Sequence, residues 1–557
     1  VVLNGAIGLI ALLLDSGTET SLPVSSSLKK ENPPDWNHFL AWISFFSGFL
    51  TLGLEVLWTH MFALVLQNSV YTFTAILMVY LTALALGAAV ASYLSRFKMN
   101  GLEVLFSFSL VGGIAVGLTP LLFRSVTNDL GYLSIGTAWP GYISSILFSV
   151  FLILGLPVLL IGTVFPYLLK MAENDETFGP ANPWSAEKTV GRLCAFNTLG
   201  AISGSLAAGF FLLKFIGLWK AILLCALIYI LTAFLISLTL FKSKKWFIAV
   251  PVLALVALIG PLNPSFFPLF KVDSKKNKEL IKMWEGPQGI VSVVREGKDL
   301  ELRINNLFGL GGSKSRGIQM AMADLPIMIH PNPESVLFLG MGTGFTAGGA
   351  LDHDAIKKIT VTELVDEVAQ AAKEFFAPSR LFEDPRVKIV VEDARNYLLG
   401  TNETYDLIIS DLFFPWEAGA GNLYTREHFE RIASRLNEDG IFALWLPFYQ
   451  LSRQEFSIIA KTMLDVFPSV TLWRADFFTN RPTVGLFGMK GDRPLSPDLL
   501  TNRFLKLSQN SKLDDLTQSA LPFMKYAGNL TAAHSFFDSF SLNTDDHPVI
   551  EFLAPIS

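Results

Sequence analysis

A series of apolar segments, each about as long as a bilayer is thick, most limits what this chain can become. They span residues 39–66, 70–94, 102–123, 141–169, 190–213, 218–241 and 246–262. A helix needs about 20 apolar residues to cross the hydrocarbon core. Lipid supplies no partner for backbone N–H and C=O groups, so segments that cross are helices. The seventh is short and contains Pro251. Residues 1–14 are apolar but shorter still, and no basic stretch precedes them; we read them as the remainder of a further membrane helix rather than of a signal sequence. Residues 1–262 are therefore expected to form a multi-pass α-helical membrane bundle of about seven or eight helices. Composition agrees, because 51% of the 557 residues are hydrophobic and 16% charged, whereas a soluble domain carries about 25% charge.

Within the bundle, Glu55 lies deep in its segment, near Trp58 and His60. An ionisable group at that depth needs a partner or a wet cavity. A structural ion pair with His60 or Arg192 is expected, with a proton or cation path as the alternative. Small residues cluster at Gly87–Ala91 and at Gly200 and Gly204, a spacing that lets helices approach closely. Cys194 and Cys225 both lie in apolar runs and read as small core residues. The net charge of −5 gives no reason to expect nucleic acid as a partner.

Basic residues fall unevenly between the connections. If every segment crosses, Lys29, Lys30, Arg96, Lys98, Lys170, Lys188, Lys242, Lys244 and Lys245 share one side, against Arg124, Lys214 and Lys220 on the other. The positive-inside rule makes the first side cytoplasmic, and the last crossing would then deliver the C-terminal half outside. A cytosolic supply of a nucleotide-type ligand points the other way. The sequence places the chain in the cell (inner) membrane and leaves the side of its C-terminal half open.

Residues 263–285, rich in proline and lysine, read as a linker, and 286–557 as a separate α/β domain. Residues 290–295 and 300–305 flank Gly297-Lys298-Asp299 and predict a small β-hairpin region. A helix follows at about 316–329. Strands are then expected at 335–339, 358–363, 387–391, 405–410, 440–446, 468–474 and 483–489, alternating with helices as in a doubly wound parallel sheet. Such sheets bind ligands beyond the carboxyl ends of their strands. Gly340-Met341-Gly342-Thr343-Gly344 occupies one such end, and Glu363 lies about twenty residues on, placed for a pair of ribose hydroxyls. Asp393, before Ala394, and Asp411 follow two more strands. Asp393 can accept from an adenine amine, and Asp411 can take a proton or hold a cationic amine; a helix cap is the alternative for either. Trp416, Tyr424 and Tyr449 either wall an acceptor pocket or fill the core. Asp545-Asp546-His547 has no partner at metal-ligand spacing, so no metal is expected; it reads as a polar turn before a final strand at 549–553.

The stretches LFLGMGTG, VTELVD, VVEDA, YDLIISD and NLYTREHFERIASRLNEDGIF resemble the spermidine synthase family, a branch of the Rossmann-like methyltransferases. LEVLWTHMFALVL, GRLCAFNTLGAISGSLAAGFFLL, WLPFYQLS and NTDDHPVIEF resemble pieces of the membrane-bound members of that family, so the likeness extends over nearly the whole chain. The resemblance implies decarboxylated S-adenosylmethionine as aminopropyl donor, or S-adenosylmethionine in a methyl-transferring variant, and a small amine, a diamine in the family, as acceptor. Carried over by position, Gly340, Gly342 and Gly344 line the donor, Glu363 holds its ribose, Asp393 and Ala394 its adenine, and Asp411 is the base. Gln319 matches a further position near the family's active site. Two positions depart. The soluble enzymes carry a second acid where this chain has Phe414, and a tyrosine where it has Ile318. Burying an unpaired ammonium is costly, so the acceptor end is expected to differ. Three readings follow: a membrane-anchored transferase; a degenerate accessory subunit that docks membrane partners or self-associates; and a transporter with a regulatory domain.

Overall fold

The computed structural model describes residues 36–97, 99–133, 138–173, 186–240, 249–254, 269–271, 278–306, 308–376, 379–475, 481–491 and 524–556, with a few residues between 502 and 505. Six helices are long and apolar enough to cross a membrane by length and composition: α1 (Trp36–Ala63), α2 (Val70–Leu94), α3 (Gly101–Val126), α4 (Trp139–Glu173), α5 (Ala186–Leu206) and α6 (Leu218–Leu240). A π-helical turn, Ala207–Leu212, prolongs α5 to Phe215. The expected N-terminal fragment lies outside the described residues, as does most of the expected seventh crossing.

Successive helices run antiparallel, and their packing uses the small residues. A Cβ on Gly200 or Gly204 of α5 would strike the carbonyl oxygen of Phe45 or Phe49 on α1. The spacing thus serves close approach of two helix backbones, as van der Waals packing in lipid favours. The expected pair at Glu55 is not formed. Among the described residues its carboxylate meets no cation, and Arg192 instead approaches His38 Nδ1 at 3.1 Å and the Phe196 ring. Arg192 begins a different stretch of the bundle from the depth of Glu55, which helical rise alone accounts for: seventeen residues separate His38 from Glu55 on α1, about 25 Å.

The C-terminal half contains two sheets. The smaller is antiparallel, in the order β1-β2-β3-β4: β1 (Lys278–Gly286), β2 (Gly289–Glu296), β3 (Asp299–Ile304) and β4 (Phe308–Gly312). The predicted hairpin is its centre. β1 extends into residues read from sequence as linker; its mixed lysine and apolar pattern pairs with β2, whose residues Gly289–Val294 are buried. Next comes α7 (Arg316–Ile329), as expected.

The larger sheet contains β5 (Ser335–Leu339), β6 (Lys358–Glu363), β7 (Val387–Val391), β8 (Tyr405–Ser410), β9 (Leu436–Leu446), β10 (Ser469–Ala475), β11 (Thr483–Met489) and β12 (Met524–Asn529). Its order is β12-β10-β11-β9-β8-β5-β6-β7. The five strands from β9 to β7 are parallel, but β11, β10 and β12 join antiparallel. The sheet is therefore mixed rather than wholly parallel. The short chain between β10 and β11 explains part of this, since a parallel pair requires a crossover of a dozen or more residues. Alternation along β5 sends Val336 and Phe338 into one core and Leu337 and Leu339 into the other, so both faces are covered. Residues Val549–Leu553, read as a final strand, form a short helix, α8, after Pro548. Pro548 lacks a donor for a strand ladder and fits a helix entry.

Among the described residues, the hydrogen bonds between the C-terminal half and the bundle fall at one end of the bundle. Asn306 donates to Leu64 O, Lys271 Nζ to Asn128 O, Leu218 N to Glu285 Oε2, Tyr71 Oη to Phe552 O and Ala418 N to Asn68 O. Every bundle residue in that set lies in, or within two residues of, a connection between α1 and α2, α3 and α4, or α5 and α6.

Candidate active site

β5 turns to β6 and β7 on one side and lies against β8 and β9 on the other. The strand order thus reverses between β5 and β8, and a crevice opens where connections leave in opposite directions. Backbone bonds hold the strand ends together there: Gly340 N donates to Thr362 O at 3.1 Å, Glu392 N to Glu363 O at 2.9 Å, and Asp411 N to Leu339 O at 3.4 Å. The glycine turn, Glu363, Asp393 and Asp411 therefore stand along one edge of the sheet.

The turn has left-handed backbone at all three glycines, with φ of +92°, +53° and +77° at Gly340, Gly342 and Gly344. Only glycine adopts this readily. Glu363 is buried, and its carboxylate accepts from Met341 N at 3.0 Å, Gly342 N at 3.2 Å and Val365 N at 2.9 Å. It shapes the turn that it faces. Burial nevertheless holds it above the usual carboxylate range, outweighing those bonds. Each carboxylate oxygen has two lone pairs, so capacity for ligand hydroxyls remains. Asp393 is a helix N-cap, accepting from Asn396 N at 3.0 Å through Oδ1. Oδ2 is left for a ligand. Ala394 begins the capped helix, Ala394–Gly400.

Asp411 is held at both oxygens. Thr346 Oγ1 donates to Oδ2 at 2.9 Å, and Leu412 N to Oδ1 at 2.7 Å. Burial raises its pKa despite these bonds. Gln319, on α7, accepts from Thr343 Oγ1 at 2.7 Å. The two threonines thus link Gln319 and Asp411 to the glycine segment. Sequence reasoning missed both, since threonine in a glycine turn carries no distinctive spacing.

The loop after Asp411 is apolar and tightly braced. Phe414 stacks on Trp416 with ring centroids 5.3 Å apart. Tyr424 is fully buried and donates to Phe413 O at 3.2 Å, so it fixes the loop from the core. Tyr449 is 40% exposed. The Glu551 carboxylate on α8 accepts from Gly419 N at 2.7 Å and Gly421 N at 3.0 Å. Asn543 donates to Gly421 O. The turn at Thr544–His547 forms as expected, and its Asp545 receives Arg395 at 2.7 Å. The segment NTDDHPVIEF is thus a brace for the loop that follows Asp411. Glu417 lies in the same loop with no cation beside it among the described residues, and burial pushes its carboxyl up to about 7.

This geometry defines a Rossmann-type domain with polar groups gathered at its strand ends, carried on a helical bundle. Comparison with known proteins goes further. The spermine/spermidine synthase domain model matches residues 316–477. A polyamine aminopropyltransferase of Thermotoga petrophila is 30% identical over 211 residues, 36% of this chain and 70% of that protein. The Thermotoga neapolitana enzyme of the same name is 32% identical over 181 residues, 31% of this chain and 60% of that protein. That of Bacillus subtilis is 28% identical over 212 residues, 38% and 76%. A solved spermidine synthase of Thermotoga maritima shares 21% identity over 44% of this chain and 88% of its own, with a TM-score of 0.37. The chain belongs to the spermine/spermidine synthase family. Its six long apolar helices precede the residues that the family model matches.

Proposed function

We propose that the chain transfers an aminopropyl group from decarboxylated S-adenosylmethionine to an amine, with Asp411 as base. The observation that carries this reading is the position of Asp411: it follows β8 at the reversal of strand order, tied to Thr346 beside the glycine turn. The turn and Glu363 receive the nucleoside, and Oδ2 of Asp393 is available to its adenine amine. Leu364 and Val391, 51% and 49% exposed, flank Glu363 and Asp393 and give the purine an apolar face. Gln319 holds the turn through Thr343.

The amine nitrogen forms a new C–N bond to the aminopropyl carbon as the C–S bond breaks. The electron pair of that bond goes to sulfur, which leaves as neutral methylthioadenosine. The proton lost by the amine goes to Asp411. Alignment of the two reactants provides much of the acceleration, and proton removal the remainder. The test is methylthioadenosine release by the purified full chain, alongside calorimetry with decarboxylated S-adenosylmethionine, S-adenosylmethionine and methylthioadenosine. Binding and turnover of the decarboxylated donor are expected. Formation of S-adenosylhomocysteine from S-adenosylmethionine, without methylthioadenosine, would identify methyl transfer, and binding of none would identify an accessory subunit.

The domain stands, on this reading, outside the cytoplasm. It docks on the bundle end whose connections hold Arg124, Lys214 and Lys220, opposite the end where the sequence places Arg96, Lys98, Lys170, Lys188, Lys242, Lys244 and Lys245. Protease added to intact spheroplasts is expected to cleave the C-terminal half; complete protection would reverse the assignment.

A further inference from the structure

The acceptor's chemical class can be approached from where the catalytic loop rests. Ala418 N donates to Asn68 O at 2.6 Å. Asn68 immediately precedes Ser69, the N-cap of membrane helix α2. Near the same end, Tyr71 and Trp139, in the first turns of α2 and α4, pack edge to face at 5.1 Å, as aromatic residues do at a lipid–water boundary. The loop that carries Asp411 therefore rests at headgroup level. Seven residues separate Asp411 from Ala418, at most about 25 Å of extended chain. Turns closed by Glu417 N to Phe414 O and Ala420 N to Glu417 O shorten this further.

Between the base and the docking point the chain reads Leu412-Phe413-Phe414-Pro415-Trp416. Leu412 is 36% exposed, and Phe414 and Trp416 are stacked. The path from the base toward the membrane is thus apolar. A soluble diamine would bring a second ammonium alongside these rings, and a buried cation without a carboxylate is strongly disfavoured. Glu417, the next acid along the loop, is itself held toward its neutral form by burial. A molecule with one amine and an apolar tail meets neither difficulty.

We propose that the acceptor is an amphiphile: a primary amine held at the membrane surface by an apolar tail that passes along the Leu412–Trp416 segment. The proposal rests on the transferase reading above. The amine loses its proton to Asp411, gains the aminopropyl group and remains in the membrane, while methylthioadenosine leaves to water. The product carries one more ammonium than the substrate.

The test uses the full chain in phosphatidylcholine vesicles with decarboxylated S-adenosylmethionine labelled in the aminopropyl group. Acceptors are compared at equal amine concentration: butane-1,4-diamine in solution, dodecylamine in the vesicles, and phosphatidylethanolamine in the vesicles. Methylthioadenosine release with at least one vesicle-borne amine is expected to exceed that with the diamine by about tenfold or more, with label in the lipid fraction. The vesicle arm that responds tells single-chain amine from phospholipid headgroup. Phe414→Asp is expected to move the preference toward the diamine. Equal or faster release with the diamine overturns the amphiphile proposal and leaves aminopropyl transfer standing. Donor binding without release in any arm overturns both.

Discussion

The two ends of the crevice are built differently. The donor end is local. Gly340, Gly342, Gly344 and Glu363 fall within 24 consecutive residues, and Glu363 binds the backbone of the turn that it follows. The acceptor end is assembled from afar. Asp411 is held by Thr346, its loop by Tyr424, Asn543 and Glu551, and its far edge by Asn68 of the bundle. A site of this kind can keep its donor chemistry while the acceptor end is remodelled by changes anywhere along the chain. Phe414 lies at that second end, three residues after Asp411.

Asp411→Asn should show the largest effect and separates the two ends most sharply. Release of methylthioadenosine is expected to fall by about 10²–10⁴-fold, with donor affinity by calorimetry nearly unchanged. Because burial raises the Asp411 pKa, the carboxyl proposed as base ionises only at higher pH than an ordinary carboxylate. The acid limb of the wild-type pH–rate profile is therefore expected above the usual carboxylate range, and a limb within that range would contradict the assignment. Glu363→Ala tests the donor end. It leaves the N–H groups of Met341, Gly342 and Val365 without their acceptor, so donor affinity is expected to drop about 10–100-fold, measured by calorimetry.

Glu551→Ala should act on the acceptor end alone. It frees Gly419 and Gly421, so turnover is expected to fall about tenfold, with donor affinity retained and hydrogen exchange of residues 411–421 accelerated. A matched loss of donor affinity would show that the two ends are not separable. Glu417→Gln has the smallest expected effect. The carboxyl's folded pKa of about 7 lies above its ordinary value, so the folded state loses stability as pH rises from the ordinary carboxylate range to about 7. The amide removes that loss, and the variant's melting temperature in detergent is expected to exceed wild type at pH 8 but match it near pH 4. Its stabilising effect is at most about 3 kcal/mol, and less with solvent screening.

The same division governs what could be read from the residues. The glycine turn and the four strands from β5 to β8 were legible because each is a short apolar run closed by a polar or glycine end, and the spacing of Glu363 is itself a signal. The six helices were legible from length and apolarity. The antiparallel β10, β11 and β12 were not, since strand direction depends on connections that carry no local pattern. Val549–Leu553 was misread because five apolar-rich residues fit either a strand or one helical turn, and only its contacts with the 419–424 segment decide. A partner for Glu55, His60 or Arg192, is not legible from the residues, because pairing within the bundle depends on depth and facing. The roles of Thr343, Thr346 and Glu551 arise from contacts across 24 to 132 positions, invisible to any short window of sequence.

Ala418 and Asn68 are joined by a main-chain hydrogen bond, an amide on one side and a carbonyl on the other. Side chains at both positions are free to drift over evolutionary time without loosening the joint. A scan that replaces residues one by one passes over it unseen. Adding or removing a single residue between Asp411 and Gly419, or between Leu66 and Val70, shifts the register and breaks this joint while the other seats of the head stay in place.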